Sequence, residues 1–136
     1  MVGPEFGFVP DEIETIGFQE FAPLPSSASD VRRFVRQVLD HRSVSADQLF
    51  QCELVADELA TNSLRHAGSD FSVAVEMSGS VVRIAVRDDS GACPVERPNS
   101  TDAVGGRGVA IVSKTASEWG VVSLGLGKET WADISA

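Results

Sequence analysis

Two runs of alternating apolar and polar residues, separated by a short turn, constrain the fold of this chain most. The alternation runs over residues 71–77 and resumes over residues 81–87, after the turn Ser78-Gly79-Ser80. A period of two predicts half-buried strands, and the glycine-containing turn predicts that the two strands pair antiparallel. A sheet with one apolar face needs a second layer to cover that face.

Two amphipathic helices precede these strands and can supply that layer. The first helix carries apolar residues at helical spacing, after a cluster of serines that can cap its free N–H groups. The apolar positions are Val31, Phe34, Val35, Val38 and Leu39, and the serines are Ser26, Ser27 and Ser29. The second helix is predicted over residues 47–67, with Asp47 as its cap and Gly68 as its stop.

The rest of the pattern completes a single sheet. Residues 13–21 alternate weakly and predict an edge strand, which Pro23 and Pro25 end. Residues 88–105 form a long loop, which we interpret as a functional ligand lid, and a short helix is predicted over 109–116. Strands follow over 119–124 and 129–134. This order predicts an α+β fold, a two-layer α/β sandwich with a mixed, mostly antiparallel sheet and helices on one face.

Length and charge limit the domain count and the partners. With 136 residues we expect an N-terminal segment over 1–20, whose stretch Gly3-Pro4-Glu5-Phe6 could be vector-derived, and one domain over 21–136. A net charge of -9 argues against binding to nucleic acid or to an anionic membrane. Cys52 and Cys93 have no CxxC spacing, and neither a signal-peptide pattern nor a membrane-spanning run is found. We therefore expect a reduced, cytoplasmic protein.

A polar stripe on the second helix is the first chemical signal. Glu58, Asn62 and His66 lie four residues apart, so each is rotated by only about 40° from the one before. The stripe borders the apolar sector of the helix, which makes its carboxylate and carboxamide candidates for a site. Alternatively, Glu58 and Asn62 are ordinary surface residues, and the helix dipole favours His66 near the C-terminus.

The second signal is the sequence Gly105-Gly106-Arg107-Gly108 in front of the apolar helix. Glycines allow close approach of a ligand to the backbone, and the free N–H groups of a helix start favour phosphate. The spacing matches neither the P-loop nor the dinucleotide-binding fingerprint, so a flexible turn remains an alternative.

The third signal is a pair of carboxylates that follows the strand over residues 81–87. Asp88 and Asp89 lead from this strand into the long loop. A carboxylate there can accept a hydrogen bond from an exocyclic amine of a base, whereas the alternative is a local turn in which the side chain bonds its own backbone.

In this order the three signals resemble one family, the bacterial anti-sigma factor serine-protein kinases (RsbW-like), and within it the actinobacterial branch. The matching segments are residues 58–67, 86–90, 105–112, 119–120 and 127–132. The resemblance covers the chain from about Phe21 to its end. This family belongs to the ATPase superfamily of histidine kinases, gyrase and the Hsp90 chaperone, which implies the Bergerat-type ATP-binding fold.

The resemblance implies a nucleotide site between the second helix and the long loop. Asp88 would accept a hydrogen bond from the adenine amine, and Asn62 would help to hold Mg²⁺. The amides of Gly106, Arg107 and Gly108 would bind the phosphates of ATP. Lys128 is similar to a lysine of the family's closing strand, which could reach phosphate or lie on the surface.

The resemblance also implies an activity and partners. Glu58 is similar to the general base that deprotonates the attacking hydroxyl, and the acceptor would be a serine of an anti-anti-sigma antagonist protein. A sigma factor, held inactive, would be the second partner, and a homodimer is expected. Arg65, His66 and Ser90 are further residues that could contact the ligand.

One departure from the superfamily keeps other functions open. The adenine loop commonly reads D-x-G-x-G, whereas Ser90 and Ala92 stand at the glycine positions here, although a serine is frequent in the actinobacterial branch. The alternative function is a regulatory binding module that is catalytically weak, with or without nucleotide. A third possibility, half of a histidine kinase, requires an upstream helix with a phospho-acceptor histidine, and neither His41 nor His66 lies in such a helix pair.

Overall fold

A five-stranded sheet with two helices makes up most of what the computed structural model describes, namely residues 13–66, 68–89 and 111–136. In chain order the elements are β1 (Glu14–Phe21), α1 (Ser27–Leu39), α2 (Ala46–His66), β2 (Phe71–Ser78), β3 (Val81–Asp88), β4 (Glu118–Ser123) and β5 (Lys128–Ile134). Residues 111–115 are also helical. The α+β class and the layered arrangement predicted from the sequence are confirmed.

The predicted pair of alternating strands is confirmed and lies at the centre of the sheet. β2 pairs antiparallel with β3 from Phe71 opposite Asp88 to Ser78 opposite Val81. Gly79 in the turn has a φ of 59°, in the left-handed region that favours glycine. β1 pairs with β2 at one edge of the sheet, as the weak alternation predicted.

The order of the strands is β1-β2-β3-β5-β4, and every pairing between described strands is antiparallel. The sequence predicted a mixed sheet. β3 and β4 do run in the same direction, but β5 lies between them and is antiparallel to both. β3 and β4 therefore do not pair with each other in parallel, because β5 follows β4 after a short turn and pairs with both strands.

The helix ends differ from the prediction in their caps. Ser26 makes no side-chain capping bond, and Ser27 Oγ donates instead to the Ala22 carbonyl at 2.7 Å. At α2 the cap is Ser45, whose Oγ accepts from the Gln48 N–H at 3.1 Å, and Asp47 lies inside the first turn. Ser45 directly precedes the helix, so its oxygen reaches the third helical amide. Gly68, with a φ of 65°, follows the helix as predicted.

The core lies between the helices and one face of the sheet. Its fully covered side chains include Val31, Val35, Val55, Val73 and Ile84, each 0% exposed. Cys52 is a free cysteine in this core, and burial raises the pKa of its thiol to about 12, so the thiol stays neutral. Within the described residues, no helix is both long enough and apolar enough to cross a membrane.

Candidate functional site

The candidate site lies where the C-terminal half of α2 passes the ends of β3 and β5. Asp88 is the last residue of β3, and its strand partner is Lys128, the first residue of β5. Side chains alternate along a strand, so Asp88 shares the helix-facing side of β3 with Val86 and Ile84. Asp88 is consequently buried, with 4% of its surface exposed.

Asp88 is held from both layers of the fold. Ser63 Oγ on α2 donates to Oδ2 of Asp88 at 2.6 Å. Lys128 Nζ donates to Oδ1 at 3.0 Å and to Oδ2 at 2.9 Å. The side chains of Lys128 and Asp88 are 4% and 1% exposed, so this ion pair is shielded from water. Charge-assisted hydrogen bonds in such surroundings are strong and fix the orientation of both groups.

A glycine allows β5 to begin this close to Asp88. A Cβ atom at Gly127 would collide with the main-chain oxygen of Asp88 and lie 3.2 Å from Cα of Asp89. Gly127 is the first residue of the matching segment 127–132, and the structure supplies a steric reason for a glycine there.

The polar stripe of α2 runs to the same end of the interface. Asn62 is 8% exposed and adjoins Ser63, the residue that contacts Asp88. Glu58 lies one turn earlier on α2 and is partly buried. The structure therefore brings the predicted residues Asn62 and Asp88 to one region, with Glu58 farther along the same helix.

The other predicted residues contribute less to the described site. Arg65 is exposed near the end of α2. The side chain of His66, together with Ser90 and Gly106, Arg107 and Gly108, lies outside the described residues. So do most of the predicted lid and the first part of the predicted short helix.

The structure excludes one of the two interpretations of Lys128. A surface role is wrong, because β5 begins at Lys128, one residue before the predicted start, and Lys128 faces the helices opposite Asp88. Ser63 was not predicted from the sequence. The helical spacing could have indicated it, since Ser63 follows the buried Leu59 by four residues and so lies on the apolar side of α2.

The residues present suit a nucleotide with magnesium. A buried carboxylate such as Asp88 is an acceptor for a base amine. Within the described residues, no three His, Cys, Asp or Glu side chains are grouped to hold a metal. Mg²⁺ commonly takes only one or two protein oxygen ligands besides phosphates and water, so the carboxamide of Asn62 fits that ion.

Known protein families and solved structures show what this chain is similar to. The sequence profile of the histidine kinase-like ATPase domain matches residues 21–132. No curated protein matches the chain significantly. Among solved structures, the RsbU and RsbW domains of Rv1364c from Mycobacterium tuberculosis are similar, with a TM-score of 0.66 and 17% identity over 88% of this chain and 32% of that one.

Two histidine kinase structures are also similar. The histidine kinase domain of the blue-light activated kinase from Erythrobacter litoralis EL346 has a TM-score of 0.52 and 22% identity, covering 81% of this chain and 59% of that one. Acinetobacter baumannii AdeS has a TM-score of 0.53 and 14% identity, covering 88% and 68%. The chain thus spans about a third of the first structure and three fifths of the second. Because the profile covers most of its length, this chain belongs to the histidine kinase-like ATPase domain family.

Proposed function

We propose that this protein is an ATP-dependent serine-protein kinase and anti-sigma factor. It phosphorylates a serine of an anti-anti-sigma antagonist protein and sequesters a sigma factor in the cytoplasm. The observation that carries the proposal is the buried carboxylate of Asp88, oriented by Ser63 and Lys128 beside Asn62. The family supports an ATP site, and the similar structure that contains an RsbW domain supports the regulatory role.

In the proposed complex, each end of ATP is bound by a different part of the chain. Asp88 accepts a hydrogen bond from the adenine amine, while the amides of Gly106, Arg107 and Gly108 bind the phosphates. Asn62 holds Mg²⁺, which supplies positive charge against the phosphate oxygens when it is bound.

Glu58 is the proposed general base. Its carboxylate accepts the proton of the serine hydroxyl as the new bond forms between that oxygen and the γ-phosphorus. The bond between the γ-phosphorus and the bridging oxygen breaks, and ADP leaves with that oxygen. Glu58 lies one turn from Asn62, so α2 would position both the base and the metal ligand.

Phosphate transfer from labelled ATP to an anti-anti-sigma protein tests the proposal. Replacing Glu58 with Gln should lower transfer about 100-fold or more while ATP still binds, because only proton transfer is lost. Glu53→Gln is the matched control, since Glu53 also lies on α2 and is partly buried, but its carboxylate accepts from Arg36 of α1 at 2.8 Å. A wild-type protein that binds ATP but transfers no phosphate would contradict the kinase activity.

The proposed partners are proteins, and a homodimer is expected. A net charge of -9 steers the chain toward basic patches on a sigma factor or antagonist. Co-purification with a candidate sigma factor, repeated after addition of the antagonist, tests whether the two compete for this protein. Sedimentation analysis of the isolated chain tests the dimer.

A regulatory binding module without catalysis is the second candidate. Lys128 already contacts both carboxylate oxygens of Asp88, the group that an adenine amine would need. If this ion pair blocks the site, partner control requires no phosphate transfer. Glu58→Gln would then leave control of the sigma factor intact, whereas loss of control in that variant favours the kinase.

A further inference from the structure

The contacts of Lys128 determine what it can do in a nucleotide site. Its ammonium lies 2.9 and 3.0 Å from the two oxygens of Asp88, and its side chain is 4% exposed. Both contacts and the burial of the side chain direct the ammonium at Asp88. The lysine therefore acts on whatever Asp88 binds.

The Asp88 side chain has two rotatable bonds, and the two layers restrain them together. Lys128 approaches from the neighbouring strand of the sheet, and Ser63 approaches from the helix with a bond of 2.6 Å. A carboxylate that accepts hydrogen bonds from two directions is held in one orientation, so its oxygen atoms face a ligand in that orientation. Preorganised groups bind a ligand more tightly than groups that must be ordered on binding.

We propose that Lys128 and Ser63 are positioning residues, which orient the Asp88 carboxylate toward the amine of the nucleobase. Lys128 then governs affinity for the base and not for the phosphates. The inference rests on the proposed function, in which Asp88 accepts the adenine amine. It specifies which part of the nucleotide depends on this ion pair.

A variant without the lysine should lose affinity for the base. Lys128→Met keeps most of the unbranched side chain but removes the ammonium, so the Asp88 carboxylate is left buried without its cation. A buried carboxylate without a cation is unfavourable, so Asp88 turns toward water. This movement removes the oriented acceptor, so the base loses its partner while the proposed phosphate-binding amides keep theirs.

Displacement of a fluorescent ATP analogue by three competitors separates the two ends of the nucleotide. The competitors are ATP, adenosine, which lacks phosphate, and inorganic triphosphate, which lacks the base. Lys128→Met should weaken ATP and adenosine by the same factor, at least about tenfold, and change triphosphate less than about twofold. Lys114→Met, at the other lysine of the chain and on an exposed position, should change none of them.

Two further variants separate positioning from a general loss of structure. Lys128→Arg should recover most of the adenosine affinity, because a guanidinium can bond both carboxylate oxygens. Ser63→Ala keeps the ion pair and should weaken adenosine and ATP by about threefold. If Lys128→Met does not fold, this serine variant decides, and unchanged adenosine affinity would overturn the inference.

The remaining outcomes are also decisive. If Lys128→Met weakens ATP and triphosphate but spares adenosine, the lysine acts on phosphate and the inference is wrong. Unchanged affinity for all three competitors overturns it as well. A wild-type protein that binds neither ATP nor adenosine refutes the proposed function, and the inference with it, before any variant is compared.

Discussion

Two buried ion pairs join β3 to β5, and they differ in the face of the sheet on which they lie and in the groups that surround them. Arg83 pairs with Asp133 across the strands, and Asp88 pairs with Lys128 five residues farther along β3. An odd separation places the two pairs on opposite faces of the sheet. The charged side chains of both pairs are at most 4% exposed.

The Arg83 pair lies in a cluster of side chains that stabilises the sheet. The guanidinium bonds Asp133 at 2.6 and 3.0 Å, and its Cζ lies 4.1 Å from the centroid of the Trp131 ring. Glu76 and Glu118 follow on either side in the same cross-strand row. A bidentate ion pair under an aromatic ring holds the sheet together.

The Lys128 pair faces the helices instead and adjoins other candidate site residues. It contacts Ser63 through Asp88, and the neighbour of Ser63 on α2 is Asn62. Burial and pairing are common to both ion pairs, so neither property by itself marks a site. What distinguishes the Lys128 pair is its place at the end of β3, next to the polar stripe of α2, where the segment predicted to form a ligand lid begins.

Breaking the Arg83 pair should destabilise the protein more than any other change proposed here. Arg83→Met should lower the free energy of unfolding by about 3–5 kcal/mol, because Asp133 is left buried without its cation. Urea unfolding measures the loss. ATP affinity of the remaining native protein should be unchanged, and a parallel loss of affinity would contradict the separation between the two pairs.

Two glycines, one near each ion pair, should differ in how their replacement affects stabilisation by nucleotide. A Cβ at Gly127 meets rigid backbone at Asp88, whereas one at Gly120 meets the Trp131 ring, with its nearest atom 2.9 Å away. Each alanine variant should cost about 1–3 kcal/mol of stability through overpacking. Thermal unfolding with and without Mg-ATP should show that only Gly127→Ala weakens the nucleotide-dependent stabilisation. Equal stabilisation in both variants would argue against a site at Asp88.

The smallest expected effect concerns pH at the acidic row beside Arg83. Burial, and next the charge of Glu129, raise the pKa of Glu76 above its ordinary 4.5. The native state therefore holds this proton more tightly than the unfolded state, and the contribution of Glu76 to stability falls as pH rises through the raised pKa.

Glu76→Gln removes this dependence. The variant should gain stability relative to the wild type as pH rises above 4.5, by less than about 1 kcal/mol because Glu76 is only half-buried. Urea midpoints measured from acidic to neutral pH check the change. An identical pH dependence in both proteins would show that Glu76 does not carry the effect.

The local elements could be predicted from the sequence because each has its own periodicity. Alternation identified β2 and β3, and helical spacing identified α1 and α2. The position of β5 between β3 and β4 had no such signal. It depends on pairing between residues far apart, such as Arg83 and Asp133, 50 positions along the chain.

The same limit applied to the site. Glu58, Asn62 and Asp88 could be proposed from residue type, spacing and resemblance, and the structure places Asp88 in contact with Ser63, the residue next to Asn62. The contacts of Lys128 could not be predicted, because the predicted strand began at Glu129 and left Lys128 outside it, and its partner Asp88 lies 40 positions away along the chain. Ser63 was not predicted, because a serine on the apolar side of a helix can be recognised as part of a site only when its partner on another element is known.

Titration calorimetry with Mg-ATP can compare the aspartates of the two ion pairs and show whether Asp88 belongs to a nucleotide site. We expect saturable binding to the wild type and to Asp133→Asn. Asp88→Asn should weaken binding at least about tenfold, because the amine of the base loses its charged acceptor. Equal weakening in the two variants, or no binding to the wild type at millimolar Mg-ATP, would contradict the claim that Asp88 belongs to a nucleotide site.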